Sequence, residues 1–269
     1  MNRTFSTNAI VVSLKPAGEN NSNVTLITQE RGIVYATLYG GPKSKLRSLV
    51  SQWHSGIIYL YENPEHNQIK ISDFDVKNYH ITFGQNLFKY YAASLAAELA
   101  IKTKCAGSGD NNEECWRLLS GFLDGLELTN EDQGRLGLIR FLWRFLELLG
   151  LQPDASYCGS CGKSFINEKF SPEDKAYYNR FDNDFICSDC ASSISDSAVT
   201  GATPDSQFIP LKMQALHYLS ATSLLSPAES RKLQLDEDSF LQLKNFVFFL
   251  IENNIESKLY SIETGKGIL

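Results

Sequence analysis

Residues 135–161 read RLGLIRFLWRFLELLGLQPDASYCGSC, and residues 186–190 read ICSDC. In the first stretch Leu136, Ile139, Leu142, Trp143, Leu146 and Leu149 recur at three- and four-residue spacing. That period predicts one apolar face of a helix over about 131–149, with Arg135, Arg140, Arg144 and Glu147 on the other faces. Gly150 ends the helix as a C′ glycine and Pro153 follows. Two C-x-x-C pairs come next, Cys158/Cys161 and Cys187/Cys190, separated by residues 162–186. Four thiolates complete the tetrahedral shell of a structural zinc ion. Closing a loop of that length adds little entropic penalty. A full shell leaves no position for water or substrate, so one Zn2+ is expected to hold a fold together and do no chemistry. The alternatives are two disulfides or four unrelated thiols. Disulfides need an oxidising compartment, and the opening MNRTFSTNAIVVSLK carries no long apolar export segment.

The chain has 269 residues, 43% of them hydrophobic, which supports folded cores rather than a disordered chain. Its longest apolar run, 246–251, is too short to span a bilayer. A cytoplasmic location with reduced thiols and no membrane partner is the expectation. Cys105 and Cys115 have no partner at metal-ligand spacing and read as inert thiols. The net charge is −6. Residues 1–80 nevertheless hold eight Lys/Arg against six Asp/Glu, a net of +2, and every later segment is negative. If any part meets phosphates, it should be the first.

Residues 8–80 read as β structure. NAIVVSL, NVTLIT, GIVYATLY, GIIYLYE and IKISDFDV are rich in Val, Ile, Thr and Tyr, and Pro/Gly/Asn clusters separate them. Five short strands fit a small closed barrel of the OB type, with an SH3-like barrel as the other choice. Alternation from Gly32 to Tyr39 puts Val34, Ala36 and Leu38 inside and Tyr35 and Tyr39 outside. Outward tyrosines either stack on bases or pack against the next domain. GGPKSKLRS follows, with Lys43, Lys45 and Arg47 close together after two glycines. Such a cluster is either a phosphate contact, with counterion release, or a solvated loop. Leu46 to Trp53 is expected to plug the barrel.

After Phe83 the pattern is helical. Asn86 is expected to cap a helix with a stripe of Leu87, Tyr91, Leu95 and Leu99. A second helix is expected over 113–126, with Trp116, Leu119, Phe122 and Leu123 inward. Between the cysteine pairs the chain reads as a turn and a hairpin, and 191–209 reads as a linker. Helices follow from Pro210 to Leu224, and from a cap at Asp238 or Ser239 to about Lys258. His217 reads as an ordinary surface or core residue. No Walker A loop, G-x-G-x-x-G, H-E-x-x-H or G-x-S-x-G occurs, and the histidines are scattered, so a catalytic reading has no positive support in the sequence. The architecture is α+β and multidomain. It comprises an OB-type β-barrel over 1–82 as candidate DNA-binding domain and an all-α domain over 83–269. A four-cysteine zinc module is inserted at about 154–194.

This order of parts resembles the bacterial RecO family of recombination mediators. The residues that carry the resemblance are AIVVSLKPAGENNSNVTLITQERGIVYATLYGGPKSKLRS, RFLWRFLELLGLQPDASYCGSCG, FSPEDK and ICSDC. It implies a non-catalytic, nucleoid-associated DNA repair protein. Such a protein binds single- and double-stranded DNA and anneals complementary strands. Its implied protein partners are RecR and the C-terminal tail of single-strand-binding protein, and together they help load RecA. Carried onto this chain, phosphate contacts fall on Lys43, Lys45 and Arg47, with Arg31 and Lys15 as weaker candidates. Tyr35 and Tyr39 offer stacking, and the zinc ligands are the four cysteines. A structural zinc-ribbon adaptor that binds only protein is the competing reading.

Overall fold

The computed structural model describes residues 3–40, 44–104, 111–166, 171, 174–197, 207–255 and 257–269. Lys43 and Cys105 lie outside the described residues. The chain divides into two compact units, Met1–Phe141 with Ile255–Leu269, and Leu142–Asn254.

The first unit holds the barrel. Its strands are β1 (Thr4–Ala17), β2 (Asn21–Thr28), β3 (Gly32–Leu38), β4 (Ser55–Asn63) and β5 (Gln68–Asn78). They close in the order β1-β2-β3-β5-β4, with β1 returning to β4. All neighbours are antiparallel except β3 and β5, which run parallel and meet at Thr37↔Lys70. This is the five-stranded barrel of the OB type, and closure leaves few free sheet edges. Alternation assigns the faces as expected. Val11, Val24, Leu26, Val34, Ala36, Leu38, Ile58, Leu60, Ile71 and Phe74 fill the interior. Helix α1 (Lys45–Leu49) and Val50 after it form the plug, with Val50 fully buried and Leu46 and Leu49 packed on the same core.

Two helices complete most of this unit, α2 (Leu87–Lys102) and α3 (Asn112–Leu128). Asn86 caps α2 by accepting from the Lys89 amide at 2.9 Å. The expected stripe is only half right. Leu95 and Leu99 are buried, but Leu87 is 67% exposed. Phe88, Ala92, Ala93, Ala96, Ala97 and Ala100 are buried too, so small residues let neighbours pack around most of this helix. Helix α3 packs on β2 and β3 and buries Leu119, Phe122 and Leu123. The outward Ile27 is sealed on that side of the barrel. The His80 ring nitrogens lie 2.6 Å from the Trp53 carbonyl oxygen and 2.8 Å from Asp124 Oδ1, tying the barrel to α3.

Helix α4 (Glu131–Leu148) contains the division between the units. Its end is a Schellman turn. The Gly150 amide donates to Glu147 O, the Leu151 amide donates to Leu146 O, and Gly150 has φ +69°. Arg140, expected on an outer face, is 7% exposed.

The second unit carries a small sheet in the order β7-β6-β8, from β6 (Lys175–Asn179), β7 (Asp184–Cys187) and β8 (Phe208–Lys212). The hairpin β6–β7 is the expected one. Two other expectations are corrected. Residues 188–197 form helix α5 (Ser188–Ser197) rather than linker, and 208–212 form an edge strand rather than the first turn of a helix. Pro210 fits an edge, where a missing amide leaves no ladder bond unmade. The helix that follows is α6 (Met213–Leu224), then α7 (Pro227–Ser230) and α8 (Glu237–Asn254). Asp236, slightly earlier than expected, accepts from the Ser239 amide at 2.7 Å. The last helix, α9 (Tyr260–Thr264), belongs to the first unit. Glu98 on α2 accepts from the Tyr260 and Ser261 amides at 2.9 and 2.8 Å and holds it there.

Candidate functional site

The four expected ligands converge. The sulfurs of Cys158, Cys161, Cys187 and Cys190 all lie within 4.8 Å of one another. Two local devices put them there. The first pair sits in a knuckle closed by the bridge Tyr157↔Ser164. Within it the Cys158 amide donates to Lys163 O and the Gly162 amide to Cys158 O, each at 2.8 Å. Gly162 takes φ +73°, a conformation that favours glycine. The second pair spans the end of β7 and the first turn of α5. The Gly159 amide donates to Phe185 O at 2.8 Å, and the Cys187 amide donates to Cys158 Sγ at 3.3 Å, joining the two halves.

The donor chemistry fits a metal ion. Thiolates about 2.3 Å from a tetrahedral centre stand about 3.8 Å apart, and Cys161 Sγ lies 3.8 Å from Cys187 Sγ. Four soft sulfurs select zinc or iron and disfavour magnesium or calcium. Cys158 and Cys187 are buried, Cys190 is half-buried and Cys161 exposed. Burial pushes the Cys158 thiol up, but amides of Cys161, Cys187 and Ser160 outweigh it and bring it down to about 7. For Cys190 the Ser160 hydroxyl acts downward, and burial with the three neighbouring sulfurs carries it up to about 12. Sulfurs this close oppose one another's ionisation. A bound cation resolves that conflict, since coordination removes the protons. His217 is not part of this cluster. Its Nε2 lies 2.6 Å from Phe165 O.

The expected DNA residues meet different fates. Tyr35 and Tyr39 are 67% and 40% exposed, so both rings stay open to solvent. Arg47 donates to Gly40 O at 3.5 Å, which brings α1 back to the end of β3 beside Tyr39. Lys45 is exposed on the same short helix, and Lys15 is exposed on β1, paired with Asn23. Arg31 is engaged within the chain. It pairs with Glu62 at 3.0 Å and lies 3.5 Å from the centre of the Phe5 ring.

Two neighbours of Tyr39 were not foreseen. Gln68 Nε2 donates to the Tyr39 hydroxyl at 2.6 Å, and Lys70 Nζ stands 5.0 Å from its ring centre. Both come from β5. The alternation of IKISDFDV turns Lys70 outward, but only the β3/β5 register places it beside Tyr39. No helix among the described residues is long and apolar enough to cross a membrane.

Comparison with known proteins adds a family relationship. A family model described as Recombination protein O C terminal matches residues 84–262. The chain is 26% identical over 191 residues to the DNA repair protein RecO of Leptospira biflexa serovar Patoc, covering 67% of this chain and 70% of that protein. It is 23% identical over 163 residues to the DNA repair protein RecO of Syntrophobacter fumaroxidans, covering 60% of this chain and 63% of that protein. Against the DNA repair protein RecO of Heliobacterium modesticaldum the figure is 28% over 163 residues, with 60% of this chain and 57% of that protein covered.

Proposed function

The chain belongs to the RecO family of DNA repair proteins, and from that premise we propose that it is a non-catalytic recombination mediator. It binds single- and double-stranded DNA, anneals complementary strands and helps load RecA with RecR. The C-terminal tail of single-strand-binding protein is its other partner. The observation that carries this reading is the open face of the barrel, where Tyr35 and Tyr39 are exposed on a closed five-stranded scaffold and Lys70 stands 5.0 Å from the Tyr39 ring centre. Aromatic faces accept unstacked bases, and lysines and arginines neutralise phosphates. Annealing breaks and makes no covalent bond. It requires a surface that screens two backbones and then releases the duplex.

In this reading residues 1–82 are the DNA-binding domain, and 83–269, with the module at about 154–194, provide protein-binding surfaces. The phosphate contacts are Lys43, Lys45 and Arg47, with Lys15 a weaker candidate and Arg31 the weakest because it pairs with Glu62. The four cysteines hold one structural Zn2+, which supplies cross-linking and no chemistry. The protein works in the cytoplasm at the nucleoid. Binding of the purified chain to a labelled single-stranded oligonucleotide, at low and moderate salt, tests the reading. Affinity that falls steeply with salt is expected. Absence of binding at low salt favours an adaptor that contacts only protein.

A further inference from the structure

The barrel closes through the one parallel pairing in it, Thr37↔Lys70, between β3 and β5. Along this seam β3 presents Tyr35, Thr37 and then Tyr39, and β5 presents Gln68 and Lys70. Tyr39 lies just past the last residue of β3, before Gly40, whose φ is +124°. A tyrosine at a strand end has several rotamers open to it. Here its hydroxyl accepts from Gln68 at 2.6 Å and the Lys70 ammonium sits 5.0 Å from the ring centre. The ring is therefore held at two points while 40% of the residue stays exposed. A fixed, half-open aromatic ring with a cation beside it is a preset stacking surface, because ordering need not accompany binding.

Resting on the DNA-binding reading above, we propose that the β3–β5 seam is what makes the barrel prefer single strands over duplex. Gln68 and Lys70 act as positioning residues for Tyr39, which takes an unpaired base, and Tyr35 offers a second ring further along β3. Lys70 also neutralises a phosphate of the same strand. The physics of selection is simple. A base stacks on a protein ring only when it is free of its own neighbours, as in a single strand. In a duplex the bases are already stacked, so only the cations contribute. Lys45 and Arg47 serve both forms alike, whereas the seam serves one.

The test compares a labelled oligo-dT with a duplex of equal length on the full chain, across a salt series. The variants are Tyr39→Leu, Lys70→Gln, Gln68→Leu and the Gln68→Leu/Tyr39→Leu pair, with circular dichroism to confirm the fold. Tyr39→Leu should lower single-strand affinity by roughly 5-fold or more, the lower edge of what one stacked base contributes, and leave duplex affinity nearly unchanged. Lys70→Gln should lower single-strand affinity more than duplex affinity, since duplex loses only a cation, and should flatten the single-strand salt slope by about 0.7. Gln68→Leu should weaken single-strand binding alone but add nothing in the Tyr39→Leu background. Equal losses for both forms would overturn the proposal, because they would mark a general contact. No loss for either form, with Lys45→Ala and Arg47→Ala still weakening both, would overturn it while leaving the DNA-binding reading intact. No binding by the unaltered chain would overturn both.

Discussion

The cysteine module gathers four sulfurs within 4.8 Å from two short local motifs. The open face of the barrel gathers its residues from strands distant in the chain, joined only through register. The module's four sulfurs face one another and complete a donor set for one metal ion. The barrel face leaves rings and cations directed at solvent. One is built to hold, the other to receive. Metal ligands draw attention first in such a sequence, yet in the proposed reading the residues that meet another molecule lie elsewhere.

The largest effect expected from this contrast comes from removing a ligand. Cys158→Ser should abolish metal retention, measured as about one ion per chain in the unaltered protein by elemental analysis. Structural zinc is worth on the order of 10 kcal/mol in apparent binding energy, so thermal unfolding of the second unit should lose its cooperativity. Single-strand affinity of the barrel should change little. A large loss of DNA binding would break the contrast by giving the module a role in the interface.

The next effect in size lies on the barrel. Tyr35→Ala with Tyr39→Ala should weaken single-strand binding by about 1–3 kcal/mol for each base that loses its ring, with metal content unchanged. Oligonucleotide titration checks this, and full affinity without either ring would remove stacking from the account.

The smallest effect concerns acid. Glu98 is held below its ordinary value of 4.5. Burial opposes this, but Lys102 and the Ser261 and Tyr260 amides outweigh it. A carboxyl depressed in the fold stabilises above its unfolded value, and that stability fades as pH falls through the folded value. The C-terminal segment of the first unit should therefore loosen below about pH 4.5. Glu98→Gln should loosen it at neutral pH and remove that acid transition, as hydrogen exchange of α9 would show. The module weakens in acid for another reason, since protons compete with the metal for thiolates.

Much of this was legible in the sequence because short periods and fixed spacings encode it. Strand alternation in GIVYATL separated core from surface, and C-x-x-C spacing announced the ligand set. The misses share a physical cause. Leu87 looked apolar enough to be buried, but alanines allowed close packing on other faces of α2 and left it outside. Arg140 went inward on a helix packed over much of its surface. Strand β8 hid behind Pro210, because its partner β6 lies far back in the chain. Lys70 carries no signal of its own within IKISDFDV, since its nearness to Tyr39 exists only once β3 and β5 close the barrel.

The claim that the barrel's cationic face binds DNA is tested most directly by the salt dependence of oligo-dT binding. The unaltered chain is compared with Lys43→Ala, Lys45→Ala and Arg47→Ala combined. Log affinity should fall linearly with log salt, and the triple variant should bind more weakly with a slope shallower by about 2. An identical slope in the two proteins, or no binding by the unaltered chain at low salt, would contradict it.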